Sequence, residues 1–206
     1  MNSISINTLA ETLLAGAALC AILPAVAQTP PRHIRGTIES VKDHAVEVKT
    51  TRGATDDITL ADDAKVFTVA PASMSAITDG KFVGITSVEK DGKAVAVEVH
   101  VFDESLRGLG EGHYPWDLDT TPNMMTNANI ARVESLGDDR VLKLDYKGGT
   151  QNIVVPPDAA VVEFTTGTTE ALKPGAKAFV IARTQPEGKL VAGAIVVGKD
   201  GLKPPM

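Results

Sequence analysis

The stretch DGKAVA at residues 91–96 recurs as EGKLVA at residues 187–192. Around these two stretches the similarity extends over residues 34–102 and 129–198. The other matched positions are Glu39-Ser40 with Glu134-Ser135, Asp63-Ala64 with Asp158-Ala159, Val66 with Val161, and Gly80 with Gly175. A repeat of about 70 residues is too long for a solenoid unit and suits one small domain. The sequence therefore predicts two sibling domains.

Each repeat has the alternating apolar and polar residues of half-buried β-strands. In the first repeat we predict strands at 34–41, 46–48, 57–60, 65–69, 81–88 and 94–102, with a helical turn at 73–77. In the second repeat we predict strands at 130–136, 141–146, 151–155, 160–164, 176–184 and 190–197, with a helical turn at 170–172. Asp91-Gly92 lies between two such strands and is a strong hairpin signal, because glycine accepts a positive φ. The pattern predicts an all-β protein made of two tandem OB-like Greek-key small barrels joined by an extended linker.

The N-terminal region is typical of an export signal. Leu13 to Ala27 is almost wholly apolar, and Ala25-Val26-Ala27 matches the small-x-small cleavage pattern. An uncleaved anchor is the alternative, but about 15 apolar residues are fewer than the roughly 20 that span a bilayer. We expect a periplasmic or secreted protein, cleaved near Ala27, without an integral membrane span in the mature chain.

These patterns define the expected domain boundaries. We predict a signal peptide at 1–27, a first OB-like β-barrel at 28–102, a Gly/aromatic linker strap at 103–129, a second OB-like β-barrel at 130–201 and a tail at 202–206.

The single cysteine, Cys20, lies inside the apolar N-terminal stretch. Lipidation there would require a small residue before it, where the chain has Leu19. Removal of the signal would leave a chain without thiols, which excludes disulfides, cysteine metal sites and a cysteine nucleophile.

Bulk composition excludes nucleic acid as an expected partner. The chain is 43% hydrophobic and 22% charged, as folded soluble proteins are, and its formal net charge is −6. Nucleic-acid binding normally requires a face rich in Lys and Arg, because contacts to phosphates supply most of the affinity. The chain has no basic run.

Both repeats resemble the exported OB-like barrel domains of bacteria whose function is unknown. The residues that carry the resemblance are RGTIESV, AVEVKT, ITLADDAKV, ITDGKFVGITSV and DGKAVAVEVHV. The linker and the tail VGKDGLKPPM are similar to a narrower group of two-barrel exported proteins, sometimes labelled metal ABC transporter permease. That label conflicts with the chain, because a permease requires several apolar spans of about 20 residues.

The linker strap at 103–129 holds the strongest candidate binding residues. They are Arg107, His113, Tyr114, Trp116 and Asp117. A connection of this length is functional, mobile, or a strap packed between domains. In the strap interpretation Tyr114 and Trp116 fix the segment in the groove between the barrels, with Pro115 keeping it extended.

Four linker residues also form a weak candidate metal site. His113, Asp117, Met124 and Met125 offer an imidazole, a carboxylate and two thioethers, which suit zinc or reduced copper. Pro115 disfavours the helix that would bring His113 and Asp117 together. A methionine pair more commonly serves hydrophobic packing. We therefore expect no cofactor, with copper or zinc as the open alternative.

Catalysis has little support in the sequence. The sequence lacks a G-x-S-x-G elbow and an H-E-x-x-H motif, and its paired aspartates lie at predicted turns. The remaining histidines, His33, His44 and His100, are predicted to be solvated or structural.

We predict a non-catalytic binding or assembly module of the bacterial envelope, with an envelope protein, a glycan or a small ligand as partner. The alternatives are a periplasmic accessory of a metal uptake system and an enzyme of unrecognised type.

Overall fold

A computed structural model describes residues 30–206 of the chain. The predicted signal peptide and Cys20 lie outside the described residues. Five strands precede the linker: β1 (Arg32–Lys42), β2 (Ala45–Thr50), β3 (Thr55–Pro71), β4 (Phe82–Lys90) and β5 (Lys93–Phe102). The other seven begin within or after the linker: β6 (Gly112–Trp116), β7 (Asn123–Leu136), β8 (Asp139–Tyr146), β9 (Gly149–Val155), β10 (Ala160–Thr166), β11 (Lys177–Thr184) and β12 (Leu190–Gly198). Short 3-10 helices occupy Met74–Ala76, Glu104–Leu106, Thr169–Ala171 and Lys199–Gly201.

The predicted all-β class is confirmed, and so is the hairpin at Asp91-Gly92. Lys90 pairs with Lys93 across that turn, and both central residues have positive φ, 51° at Asp91 and 72° at Gly92. This is the backbone geometry of the tight turn whose twist matches that of the two strands it joins.

Five strands close into one mixed barrel. β1 pairs with β2 and β11, β2 pairs with β3, and β11 pairs with β12. A parallel ladder between β12 and β3 completes the ring. Inward-facing aliphatic side chains fill its interior, among them Ile34, Ile38, Val46, Val48, Ile58, Val180 and Ile195. Closure leaves this barrel without an unpaired edge.

The other seven strands continue the same sheet. β10 pairs with β3 and with β5, and from β5 the order continues through β4, β7, β8 and β9. β6 pairs with β7, and β5 meets β9 at two residue pairs. These strands enclose their own apolar cluster, which includes Ile85, Val99, Ile130, Leu142, Leu144 and Ile153.

The composition of the closed barrel differs from the expectation that each barrel is built from one contiguous repeat. It takes β1, β2 and β3 from the first repeat and β11 and β12 from the second. The physical reason is the repeat itself. Two copies with the same hydrophobic pattern can exchange equivalent strands at little cost, as in domain swapping.

The strand pairings are arranged symmetrically on the two sides of one residue pair, Val69 of β3 and Phe164 of β10. On one side Leu190 pairs with Ile58 in parallel, and on the other Ala94 pairs with Ile153 in the same way.

This symmetry of the strand pairings also corrects the alignment of the two repeats at their first strand. Lys81 and Ala176 follow the matched residues Gly80 and Gly175 and are equivalent in the two repeats. The amide of Ile38 donates to the carbonyl of Ala176, and the amide of Ile130 donates to the carbonyl of Lys81. Ile130 is therefore the counterpart of Ile38. The Glu39-Ser40 and Glu134-Ser135 match is therefore out of structural register.

A third apolar cluster lies where the two sets of strands meet. It contains Phe67, Val69, Phe82, Phe102, Val162, Phe164, Phe179, Val196 and Met206. Leu106 and Trp116 of the linker and Leu202 of the tail pack against it. Linker and tail therefore cover the junction, and the candidate site lies beneath them.

Candidate functional site

A cavity of about 210 Å³ opens at the junction of the two strand sets. Of the five Phe, two Tyr and one Trp in the chain, six side chains line it. They are Phe67, Phe102, Tyr114, Trp116, Phe164 and Phe179. In a chain with only 4% aromatic residues, this concentration sets the junction apart from the two aliphatic cores. We call it the aromatic cavity.

The linker supplies one wall of the aromatic cavity. Its strand β6 pairs with β7, so that Tyr114 lies opposite Met125 and Trp116 opposite Asn123. Side chains alternate along a strand, and therefore Tyr114 and Trp116 share one face of β6 while His113 lies on the other. β7 begins at Asn123, so the second part of the predicted linker is a strand.

Trp116 lies among rings. Its centroid is 4.4 Å from that of His33, 5.9 Å from that of Phe179 and 6.2 Å from that of Tyr114. The indole Nε1 is buried, and no group in the described part of the chain accepts its hydrogen. A buried donor left without a partner costs about 1–3 kcal/mol.

Asn127 of β7 also lines the aromatic cavity and carries a second unpartnered atom. Its Nδ2 donates to the carbonyl oxygens of Leu109 and Gly110, both at 3.1 Å, and lies 3.3 Å from the hydroxyl of Tyr114. Its Oδ1 is buried and accepts no hydrogen bond from residues 30–206. The side chain is thus fixed by its amide nitrogen, and its oxygen is left buried without a partner.

Gly84 of β4 leaves room for that oxygen. A Cβ atom at this position would lie 2.6 Å from Oδ1 of Asn127, 3.0 Å from the ring of Phe102 and 3.3 Å from Nδ1 of His100. Any other residue would displace these groups. Glycine therefore permits Oδ1 of Asn127 and Nδ1 of His100 to approach the same piece of backbone.

Behind His100 lies a buried carboxylate. Glu98 and His100 of β5 are 1% and 3% exposed, and Thr86 of β4 is fully buried. Nε2 of His100 lies 3.0 Å from Oε2 of Glu98, and the hydroxyl of Thr86 donates to Oε1. The two buried side chains therefore share one hydrogen bond, and Thr86 supplies a second one to the carboxyl group of Glu98.

The pairing symmetry identifies the counterparts of Glu98 and His100 in the other parallel ladder. In the parallel ladder of β5 and β10, Glu98 pairs with Ala160 and His100 pairs with Val162. In the equivalent ladder of β12 and β3, Ala194 pairs with Lys65 and Val196 pairs with Phe67. The counterparts of Glu98 and His100 are therefore Ala194 and Val196, which are both apolar.

The structure separates the predicted binding residues into three groups. Tyr114 and Trp116 line the aromatic cavity. His113 faces away from it, with Nδ1 2.8 Å from the hydroxyl of Thr126 and its ring stacked on Tyr146. Arg107 anchors the linker, since it donates to Glu104, to Asn129 and to the carbonyl of Gly80.

Asp117 lies just beyond the end of β6, where it holds the linker to β1. Its Oδ1 is 2.9 Å from Nη2 of Arg35 and 2.7 Å from Nδ1 of His33. Partial burial acts to raise the pKa of Asp117, but the hydrogen bonds and charges of Arg35 and His33 outweigh it and hold the pKa below its ordinary value. Arg35 also bonds the carbonyl of Met206 and lies over the ring of Phe179. Asp117 therefore closes the linker onto the closed barrel.

The four candidate metal ligands are not brought into one cluster. His113 and Met124 share one face of the β6–β7 pair, Met125 is on the other face in the wall of the aromatic cavity, and Asp117 is bonded to β1. Among residues 30–206, no group of three or more His, Cys, Asp or Glu side chains is placed to hold a metal ion. Copper or zinc binding stays an untested alternative.

Sequence reasoning missed Gly84, Glu98 and Asn127, and it assigned His100 a solvated or structural role. A signal was present in β5, where Glu98 and His100 occupy alternate positions of a strand that is otherwise apolar from Ala94 onward. Polar residues on the face that a strand buries indicate a site or a network.

Comparison of the chain with protein-family models, with curated proteins and with solved structures gave no match in any of the three. Over residues 30–206, no helix is long and apolar enough to cross a bilayer.

Proposed function

We propose that this chain is an exported, non-catalytic binding module of the bacterial envelope, and that it holds a small organic ligand in the aromatic cavity. The observation that carries the proposal is the convergence of six aromatic side chains on one cavity. Ligand sites are typically apolar and aromatic cavities with a few fixed polar groups. Trp116 and Asn127 line the cavity, and each carries a buried polar atom without a partner, a donor in Trp116 and an acceptor in Asn127.

The proposal includes a second OB-like barrel formed by β4, β5, β7, β8 and β9. The equivalent registers of the β12–β3 and β5–β9 ladders support it, although β5 and β9 share only two residue pairs. Two barrels that exchange strands would hold the junction rigidly. A preorganised cavity loses less free energy on binding, because fewer side chains must be ordered.

Of the three kinds of partner expected from the sequence, the small ligand has the most direct support. The aromatic cavity is a small recess lined by strands and linker, whereas an envelope protein would require a broad exposed surface. Export and the resemblance to exported OB-like domains are further parts of this proposal, supported by the apolar stretch that ends at Ala27.

The experiment is a binding test with toluene and phenethyl alcohol as neutral probes. Trp116 is the only tryptophan, so its fluorescence and its indole N–H resonance report directly on the aromatic cavity. We expect saturable changes in both signals and a rise in Tm, because a ligand that binds the folded state stabilises it.

Two variants locate the binding. Ala194→Leu adds volume to the cavity wall and should abolish binding without removing any polar group. Tyr114→Leu should weaken binding, whereas Tyr146→Leu, which alters the one tyrosine outside the aromatic cavity, should not. Absence of any effect of either probe on the unmodified protein would contradict the proposal.

A further inference from the structure

We propose that the tail, residues 202–206, is a displaceable cover of the aromatic cavity, and that its release admits apolar ligands with more than one ring. The inference rests on the proposed function and adds to it the regulation of that site. It is drawn from three features of the tail: the burial of Met206 in the cavity wall, the few bonds that attach the tail, and the turn at which the tail leaves β12.

The side chain of Met206 closes one part of the aromatic cavity. It is 3% exposed, lines the cavity and belongs to the apolar cluster that contains Phe164 and Phe179. With Met206 in place the cavity has a volume of about 210 Å³. Ligand sites typically have about 300–1,000 Å³, and an apolar cavity of about 150 Å³ takes one benzene ring. The closed cavity therefore suits a single ring, and a larger ligand requires the space that Met206 occupies.

Few hydrogen bonds attach the tail to the rest of the chain. β12 ends at Gly198, so the tail takes no part in a β-ladder. Pro204 and Pro205 have no amide hydrogen to donate. Within residues 30–206, the backbone–backbone hydrogen bonds of the tail are limited to that of the Leu202 amide with the carbonyl of Lys199. Segments attached in this way are the ones that open locally in native proteins.

One side chain of the closed barrel secures the tail. Nε of Arg35 donates to the carbonyl oxygen of Met206 over 2.7 Å, and Nη2 of the same guanidinium donates to Asp117 of the linker over 2.9 Å. The guanidinium carbon lies 5.0 Å from the ring centroid of Phe179 in the cavity wall. Arg35 therefore holds the tail closed, and without its bond to Met206 the tail would be held by the burial of its apolar side chains.

The linker, which covers another part of the cavity, is attached more firmly. Its strand β6 pairs with β7 along its whole length, from Gly112 to Trp116. Before that strand, Arg107 donates to the side chain of Asn129 and to the carbonyl of Gly80. Because these bonds fix the linker as a wall, the tail is the part of the cover that can open without loss of β-structure.

The turn between β12 and the tail supplies a hinge. A short 3-10 helix occupies Lys199–Gly201, and Asp200 and Gly201 have positive φ, 51° and 79°. A Cβ atom at Gly198 would lie 1.7 Å from the carbonyl oxygen of Leu202, so glycine lets the chain fold back at this point. Hinges are a few residues at the ends of elements that absorb changes of φ and ψ. The tail can therefore swing about this turn while β12 stays paired.

The test compares the rates at which hydrogen peroxide oxidises two buried methionines to the sulfoxide. Met206 is 3% exposed and Met125 is 4% exposed, and both line the aromatic cavity. Met125 lies on β7 and is the matched control, because its exposure requires the sheet to open. We expect Met206 of the full chain to be oxidised at least about tenfold faster than Met125, because reaction at a buried group follows the population of the open state. Peptide mass spectrometry gives both rates.

Two neutral probes of different size connect the opening of the tail with binding. Toluene has one ring, so it should fit the closed cavity and slow the oxidation of Met206. The two rings of 4-biphenylmethanol require the space of Met206, so this probe should displace the tail and speed that oxidation while it shields Met125. Trp116 fluorescence establishes that each probe is bound.

Two variants separate the attachment of the tail from that of the linker. Arg35→Gln removes the guanidinium that holds Met206, and should raise the affinity for 4-biphenylmethanol by about tenfold. Asp117→Asn weakens the linker contact but retains the bond from Arg35 to Met206, and should have a smaller effect. If Arg35→Gln does not fold, the two oxidation rates in the unmodified protein still decide.

The outcomes distinguish this inference from the proposed function. Equal oxidation rates of Met206 and Met125 overturn the displaceable tail, and so does failure of 4-biphenylmethanol to bind where toluene binds. Both results leave a ligand-binding cavity with a fixed wall. Failure of both probes to bind, with Met206 still oxidised faster than Met125, overturns the proposed function alone.

Discussion

Val69 and Phe164 face each other in the antiparallel ladder between β3 and β10, and the strand pairings on either side of them correspond. The two residues occupy equivalent positions in the two repeats. A twofold pseudosymmetry axis within the single chain therefore passes between Val69 and Phe164. Strands on each side of this point come from both repeats, which places the aromatic cavity at the centre of the exchange rather than at one end of a domain.

The exchange of strands can be tested with an engineered disulfide. Thr37 of β1 pairs with Lys177 of β11, and Lys177 Nζ donates to the Thr37 hydroxyl at 2.9 Å. Paired residues of adjacent strands have Cα atoms about 4.5–5.5 Å apart, within reach of a disulfide. We expect T37C/K177C to oxidise to an intramolecular crosslink, detected by thiol titration and mass.

The matched control places the second cysteine at Lys81, next to β4, which would be the partner of β1 if the first repeat closed on itself. T37C/K81C should remain reduced under the same conditions. Preferential crosslinking of T37C/K81C would show that the strands are not exchanged in solution.

Gly84→Ala is expected to destabilise the fold. The new Cβ would lie 2.6 Å from Oδ1 of Asn127 and 3.0 Å from the ring of Phe102, both of which are held by their own contacts. Overpacking of this kind lowers the free energy of unfolding by about 1–3 kcal/mol. Gly193→Ala, where a Cβ would meet nothing within 4 Å, is the control and should stay within about 0.5 kcal/mol. Urea unfolding measures both, and equal midpoints would refute the tight approach at Gly84.

His100→Val should lower the free energy of unfolding by about 3 kcal/mol, because it leaves the carboxylate of Glu98 buried with one hydrogen bond. The double variant E98A/H100V reproduces the apolar counterparts Ala194 and Val196 and should recover most of that loss. Chemical unfolding of the two variants gives the coupling free energy between the residues. Additive effects would contradict a buried Glu98–His100 pair.

The attachment of the linker by Asp117 should depend on pH. The folded pKa of Asp117 lies below its ordinary value of 3.8, so the ionised carboxylate stabilises the folded chain above that pH. The contribution is lost as pH falls from 3.8 through the folded pKa. We expect Asp117→Asn to lower Tm at about pH 5 and to have a vanishing effect in stronger acid. A gap in Tm that widens with acidification would have the opposite sign and would exclude this role.

The all-β class and the Asp91-Gly92 hairpin follow from local patterns, because alternation and turn residues act over a few positions. The exchange of strands does not, because β4–β5 and β11–β12 carry the same pattern and either pair would satisfy the interior around Ile38. Tyr114 and Trp116 were identifiable as distinctive residues of the linker. Asn127 and His100 were not, because their chemistry arises only when β7 and β5 flank Gly84.

The closed barrel also constrains when the protein can fold. Its first strand begins at Arg32 and its last ends at Gly198, so its interior has no complete wall until almost the entire polypeptide has been synthesised. The strands β4 to β9 have all emerged by Val155, so the closed barrel is the later of the two strand sets to be completed during synthesis.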